Sequence, residues 1–589
     1  MGAAPVRWVF PGAGLGDGAT ERAVRRLATE LGIEPLAARV LVNRGLGEPA
    51  AAAAFLADGL AELPDPFLMK GMDLAVERLT RAVVGGEKVT LYGDYDVDGV
   101  CSTALLSLFL EAVGITPATY IPHRIEEGYG LNHRAVERIA SDGTKVLVTL
   151  DCGIASVAEI SKARALGLDV VVVDHHVVPP TLPPATAVLN PLQPGCGYPS
   201  RTLCAAGVAF NLIMGLRKGL RLQGHFAHRP EPALKPFLDL VALATVADVV
   251  PLVGANRVLV KHGLEMLGRA TRPGVRALKE VAGMASGARV RTGQVGFLLG
   301  PRINAAGRLD DASRGLQLLR ARSLEEARPL AAELDTANQE RRKIEQLMVN
   351  EALAQAEGRP GVRGFVLWGD TWHPGVVGIV AARVVDRFHR PAVVIGVQGG
   401  VGKGSARSIE GFHLLEALEG CADHLRKFGG HHHAAGVTVD AERLPDFRRT
   451  FEALAAERLR EEDLEPRCRV DAEVDPSELS TRAVEALSVL APFGAGNPEP
   501  AFVARSVVAC PRIVENRKGG PHHLKLILPA SPRLDAIGFG MGTRAGELEG
   551  PVDLAFQASI DTWNGEERVS LKLRDLRVSD AAVLPATGS

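Results

Sequence analysis

Between residues 76 and 330, apolar positions fall into short β-branched runs separated by longer stretches where Ala and Leu return every three or four residues. Residues 89–92 (V-T-L-Y), 145–150 (K-V-L-V-T-L) and 169–173 (D-V-V-V-V) read as strands covered on both faces, since a continuous apolar run leaves no side for water. Residues 100–113 and 157–166 read as helices lying on them. Strands alternating with helices predict an α/β domain with a doubly wound parallel sheet. The alternation resumes in a smaller α/β unit, with strands at 365–368 and 392–395 around a helix at 376–388. Between the two, residues 330–355 have helical periodicity with many charges, expected as a solvated linker helix. Near the end, short strands at 502–508, 524–528, 554–560 and 568–573, separated by Gly and Pro turns, suit a small β-barrel. Ahead of everything, residues 20–31 and 48–63 read as peripheral helices with no chemical motif, up to a break at Pro64-Asp65-Pro66. The expected divisions are 1–75, 76–330, 331–358, 359–462 and 463–580.

Composition narrows the class. A chain of 589 residues exceeds one hydrophobic core. With 46% apolar and 23% charged residues and no run long enough to cross a bilayer, an ordinary soluble protein is expected. The N-terminus shows no charged segment followed by an apolar one, so no export signal is expected. Seven scattered cysteines without a C-x-x-C pair suggest reduced thiols in the cytoplasm. The net charge of −2 excludes a protein that grips polyanions by bulk charge. Any such partner must be held by local positive charge.

Each predicted strand of the first sheet ends in residues that bind cations. After 89–92 come Asp94, Asp96 and Asp98; after 145–150 comes Asp151; after 169–173 come Asp174, His175 and His176. In an open parallel sheet all three groups reach one edge, where ligands bind. Crowded carboxylates repel one another and persist most easily around a counter-cation. Asp248 is a further ligand candidate, being the single acid in the apolar stretch 240–252. G-P-R-I-N-A-A-G-R at 300–308 reads as a tight loop whose arginines grip phosphate. G-K-G-S-A-R-S at 402–408 and G-G-H-H-H-A-A-G at 429–436 offer exposed N–H groups, hydroxyls and positive charge for phosphate. The three consecutive histidines do not read as a zinc site, because adjacent residues rarely all point at one ion.

Taken together, these motifs resemble the DHH phosphoesterase superfamily and, within it, the RecJ single-strand-specific exonucleases. The resemblance runs through D-Y-D-V-D-G at 94–99, R-x-x-E-G-Y-G-L at 124–131, T-L-D-C-G at 149–153 and D-H-H at 174–176. It continues through A-T-V-A-D-V-V-P-L at 244–252, the 300–308 motif, G-G-H-x-x-A-A-G at 429–436 and F-G-x-G-N-P-E-P at 493–500. His432 and His433 at its variable positions are the one departure. The resemblance implies a catalytic DHH domain, a connecting helix, a DHHA1 domain and an oligonucleotide-binding domain. It further implies 5′-to-3′ degradation of single-stranded DNA to mononucleotides in recombination and repair, by a monomer, in a cleft too narrow for duplex. Single-strand-binding protein and a RecQ-type helicase are the partners it implies.

Hard carboxylate donors with one imidazole suit two Mn²⁺ or Mg²⁺ ions rather than zinc. The expected arrangement spaces them about 3.5–4 Å apart, with Asp151 between and a water acidified for attack on phosphorus. Asp96, with Asp94 as a further candidate, completes one position, and Asp98, His175 and Asp248 the other. Asp174 is expected to fix the tautomer of a neighbouring histidine, and His176 to touch the phosphate or assist the leaving oxygen. Arg124, Arg302, Arg308, Ser405, Arg407 and His431 are the expected phosphate ligands, including those for a 5′ end. The alternative from the same superfamily is a phosphodiesterase of short oligonucleotides or cyclic dinucleotides. A non-catalytic scaffold is disfavoured because every proposed ligand is present. A Rossmann dehydrogenase is disfavoured because acids at the first strand's end repel a pyrophosphate.

Overall fold

A computed structural model describes residues 6–10, 18–124, 127–285, 287–309, 311–516, 519–548, 550–563 and 566–579. The chain forms two compact units, one of residues 58–464 with 494–496, the other of residues 1–57, 465–493 and 497–589.

The first unit is built on a five-stranded parallel sheet in the order Ala118–Tyr120, Val89–Gly93, Val146–Leu150, Asp169–Val173, Ala187–Leu189. The central strands are the three apolar runs, buried along nearly their whole length. The two short edge strands lack such runs and left no mark in the pattern. Register fixes the chemistry: Gly93 pairs with Leu150, and Leu150 with Val173. The next residues, Asp94, Asp151 and Asp174, therefore leave the sheet side by side. Their amides extend the ladder, donating to the carbonyls of Leu150, Val173 and Leu189 at 3.1, 2.9 and 3.0 Å. Helix Val97–Ala112 has almost no polar face and is buried nearly all round against helices Ala205–Leu222 and Leu238–Ala247.

The charged helix seen in the sequence spans Leu324–Glu357, capped by the Ser323 hydroxyl accepting from the Glu326 amide. It is not solvated all round as expected. Ala327, Ala331 and Leu334 enter the core of the first sheet, and Met348, Ala352 and Ala356 enter the core of the second. The second sheet is mixed: Phe365–Gly369 lies parallel to Ala392–Gln398, followed by antiparallel Val401–Arg407, Ala434–Asp440 and Lys427–Gly430. Both glycine-rich motifs, expected to offer exposed N–H groups, mostly form strands of this sheet, where the ladder uses many of those groups. Small residues there let neighbouring side chains close over the strands.

In the second unit a seven-stranded sheet runs from Ala472–Glu473 to Cys510–Val514, and no pairing joins these edges among the described residues. The expected barrel is thus a sheet without a closing ladder among the described residues. The N-terminal helices are not peripheral. Val24, Leu27, Val40 and Leu41 share one core with Phe502, Phe556 and Leu571. Arg44 reaches Asp471 at 2.7 Å and Asn497 at 2.8 Å. The sequence assigns Arg517, Lys518, Lys525 and Lys572 to this part as modest basic character, and the first two lie outside the described residues.

Candidate active site

The D-Y-D-V-D-G turn wraps the start of helix Val97–Ala112. Gly99 is obligatory there, since a side chain would collide with the Asp94 backbone. Asp96 caps the helix, accepting from the amides of Asp98 and Gly99 at 2.9 and 3.1 Å. The Val97 amide donates to Asn304 Oδ1 at 3.1 Å. Asp98 is buried, and its two oxygens accept from the amides of Ala205 and Ala206 at 2.6 and 2.8 Å, at the start of a second helix. Both helix ends offer positive dipole to these acids, which is part of why they tolerate burial.

Asp151 adopts a left-handed backbone with φ 64°, and Val249, just after Asp248, does so with φ 59°. Positive φ is uncommon for a non-glycine residue and an outlier for a β-branched one, and strain of this kind gathers at functional sites. Three carboxylates converge on His175: its Nε2 lies 3.2 Å from Asp151, 3.6 Å from Asp248 and 3.7 Å from Asp98. Donor atoms of Asp94, Asp96 and Asp151 gather within 4.8 Å of one another, as do those of Asp98, His175 and Asp248, and those of Asp151, His175 and His176.

Asp174 is oriented away from this exchange. One oxygen accepts from the amides of His175 and His176 and from His176 Nδ1 at 2.7 Å; the other accepts from the Ile154 amide at 2.9 Å. The histidine it holds is therefore His176. Burial opposes charge on both partners, but their mutual bond outweighs it, keeping Asp174 below the usual carboxylate range and raising His176 to about 9. Tyr129, which the sequence showed only inside a longer motif, donates its hydroxyl to the Asp151 carbonyl at 3.1 Å and touches the His176 ring.

Buried oxygens of Asp94, Asp151 and Asp248 accept no hydrogen bond. Burial, then repulsion from neighbouring acids, pushes Asp94 and Asp151 well above the ordinary carboxylate range and Asp248 to about 8. Burial alone is the largest influence on His175, which is lowered and so favours the neutral form that binds cations. Orphaned carboxylate oxygens beside a neutral imidazole fit hard divalent cations.

Opposite charge collects nearby. Arg308 is half-buried, donates to the Gly375 carbonyl at 3.1 Å, and is lowered to about 10 by desolvation and by the charges of Arg124, Arg341 and Arg407. Arg407 donates to Ser405 Oγ at 3.0 Å and to the Ala406 carbonyl at 2.9 Å. Arg124 stacks over the Tyr95 ring at 4.7 Å. A side chain at Gly378, in the first turn of helix Val377–Phe388, would touch both Ser405 and Arg407, so that turn faces the same spot. Among the described residues, no carboxylate pairs with Arg124, Arg308 or Arg407. His431 is exposed in the turn beyond Gly430, beside the Arg407 end of its neighbouring strand, where Ala434 pairs with Arg407.

Arg302 does not join them. The 300–308 motif is the helix Gly300–Leu309, not a loop, and Arg302 points from it to Asp335 at 2.9 Å and to the Leu298 carbonyl at 2.6 Å. It fastens this helix to the long one. Asn304, two residues further on, is the residue of the motif that supports the D-Y-D-V-D-G turn.

Fold and site together define a class, a DHH-type α/β protein whose sheet edge is shaped for divalent cations. Residues 88–245 match the DHH family, N-terminal domain; residues 361–457 match the DHHA1 domain; residues 470–575 match the RecJ OB domain. The single-stranded-DNA-specific exonuclease RecJ of Bacillus subtilis is 39% identical over 95% of this chain and 70% of that protein. Its Dickeya dadantii counterpart is 41% identical over 88% of this chain and 92% of that protein. The crystal structure of RecJ in complex with Mn²⁺ from Thermus thermophilus matches with a TM-score of 0.81 at 32% identity, over 97% of this chain and 79% of that one. The complex with Mg²⁺ matches at a TM-score of 0.75 and 30% identity, over 97% and 78%. The chain belongs to the RecJ family.

Proposed function

We propose that this chain is a divalent-metal-dependent exonuclease that removes mononucleotides from the 5′ end of single-stranded DNA. The observation that supports it best is the meeting of orphaned carboxylate oxygens with guanidinium groups that lack carboxylate partners. One group calls for cations and the other for an anion, and a phosphodiester in contact with bound metal satisfies both.

Asp94, Asp96 and Asp151 would hold one ion, and Asp98, His175 and Asp248 the other. Bound there, the ions would supply Lewis acidity and make water nucleophilic at neutral pH. Asp151 sits between both groups, and its strained backbone aims its carboxylate inward. His176, fixed through Nδ1 by Asp174, has its Nε2 3.4 Å from the Tyr129 hydroxyl, and would turn that nitrogen to the phosphate or the departing oxygen when substrate is bound. Arg407, Ser405, Arg124 and Arg308 would grip the terminal phosphate, which would set the count from the 5′ end. The seven-stranded sheet would bind the strand further along. The family suggests single-strand-binding protein and a RecQ-type helicase as partners, the cytoplasm as compartment, and repair and recombination as the setting. Among the described residues no helix is long and apolar enough to cross a membrane.

The test uses metal-stripped protein, a long 5′-phosphorylated single strand, the same duplex, and a dinucleotide. Release of mononucleotides from the long strand, only after Mn²⁺ is restored, is the expected result. Turnover of the dinucleotide alone would favour the short-oligonucleotide alternative.

A further inference from the structure

His432 and His433, the two positions at which the 429–436 motif departs from the family pattern, lie in the turn between strands Lys427–Gly430 and Ala434–Asp440. The ring of His432 stands 4.6 Å from that of His413 and 4.3 Å from that of His433, centre to centre. His413 comes from another segment, immediately before helix Leu414–Glu419. Backbone bonds hold the segments together: the Leu414 amide donates to the His432 carbonyl and the Ser408 amide to the His433 carbonyl, both at 3.0 Å. None of the three rings is buried, so gathering them returns little as packing. His431 has no ring contact with them among the described residues.

The donor atoms have the spacing of a chelate. His432 Nδ1 and His433 Nδ1 are 3.3 Å apart. A tetrahedral zinc ion with Zn–N bonds of about 2.0–2.1 Å holds two ligand atoms about 3.3–3.4 Å apart. His413 Nε2 and a carboxylate oxygen of Glu416 form a second pair at 3.8 Å. The two pairs meet across the His413–His432 ring contact, and turning these solvent-facing side chains about their χ angles closes both on one ion. His413 Nδ1 accepts from the Glu416 amide at 3.3 Å, longer than an ordinary N–H bond. Coordination through Nε2 shifts the ring proton to Nδ1 and gives up that contact. Desolvation, then the adjacent His433 and His413, lowers His432, which favours its neutral, metal-binding form. Imidazole donors suit zinc, whereas the carboxylates of the sheet edge suit Mn²⁺ or Mg²⁺.

We propose that His413, His432, His433 and Glu416 form a zinc site, separate from the catalytic metal centre. Consecutive histidines still do not all share one ion, because His413 takes the place that His431 would have had. The ion would clasp the start of helix Leu414–Glu419 to the turn. Ser408, bonded to His433, directly follows Arg407, and His431 adjoins His432, so the clasp holds the segment that carries these two expected phosphate ligands. The site stands on its own donors and does not depend on the exonuclease reading.

The test is calorimetric titration of Zn²⁺ into the full chain carrying Asp151→Asn/His175→Ala, so that the sheet edge does not compete. One equivalent of Zn²⁺ should bind. Adding His432→Ala/His433→Ala should weaken that binding roughly 100-fold or abolish it, and adding His413→Ala should weaken it roughly tenfold. His431→Ala should leave it within about twofold. Co²⁺ in place of Zn²⁺ should give the intense visible absorption of a tetrahedral ion, lost with the same substitutions. The melting temperature without metal should be the same in all these variants, since the rings hold no core together. Absence of a one-equivalent site, or binding unchanged by His432→Ala/His433→Ala, overturns the proposal. A loss in His431→Ala as large as that in His413→Ala overturns the choice of ligands.

Discussion

The two sheets of the catalytic unit deliver opposite charges by opposite means. The parallel sheet sends acids off aligned strand ends, and hydrogen bonds anchor each of them while leaving oxygens of Asp94, Asp151 and Asp248 without a donor. The mixed sheet presents Ser405 and Arg407 from within a strand, held by neighbours that are neutral. Each side is unsatisfied, in opposite sense. An ion pair would have quenched either, as the largely buried Arg302 and Asp335 quench each other. The lesson is that function shows where burial and like charge coexist, not where charges merely cluster.

The sharpest way to break this contrast is to neutralise one acid. Asp151→Asn should lower kcat by about 10³-fold or more while strand affinity stays within a few-fold, read on a 5′-labelled strand. Without metal the same change removes a repelled charge, so the melting temperature of the stripped variant should not fall. A clear fall would make Asp151 a structural acid.

Next in size is metal itself. Mn²⁺ at about 100 times its Kd should stabilise wild type by about 2.7 kcal/mol, and Asp94→Asn/Asp96→Asn should lose much of that gain. Calorimetric melts with and without the ion read the difference.

On the cationic side, Arg407→Ala should raise KM roughly 30-fold, about 2 kcal/mol of charge-assisted hydrogen bonding, with a smaller change in kcat. Arg302→Ala is its control. It should cost about 2 kcal/mol of stability and leave KM near wild type, since its guanidinium is spent on Asp335 and the Leu298 carbonyl. Equal effects of the two arginines on KM would erase the distinction between them.

The smallest effect is a pH slope. Asp248 is raised to about 8 by burial, then by Asp98 and Asp96, so the folded metal-free protein binds a proton more tightly than the unfolded chain. Its stability should therefore fall as pH rises from the ordinary aspartate range toward about 8, and be greatest below it. His176, raised to about 9, adds a loss of the same sign as pH passes through that value. Melting temperatures of metal-stripped protein across this range should decline less steeply in Asp248→Asn.

How much of this was legible beforehand follows from what each residue's role depends on. Asp94, Asp151 and His175 could be read because they end apolar runs, and parallel strands in register must bring such ends together. Asp248 stood out as the single acid in the apolar stretch 240–252. Arg302 was misread because its motif was taken for a loop. Gly300 and Gly307 suggest a turn locally, yet Ile303, Ala305 and Ala306 pack into helix, and only tertiary structure shows Asp335 waiting. The N-terminal helices were read as peripheral because their partners, Phe502 and Phe556, lie more than 400 positions away, where no periodicity reaches.

The most direct measurement is anomalous diffraction from crystals of metal-stripped protein soaked in Mn²⁺. Two peaks are expected, one among Asp94, Asp96 and Asp151 and one among Asp98, His175 and Asp248, both lost in Asp151→Asn. No manganese at that sheet edge in crystals of otherwise intact protein would contradict the assignment of these acids as the metal centre.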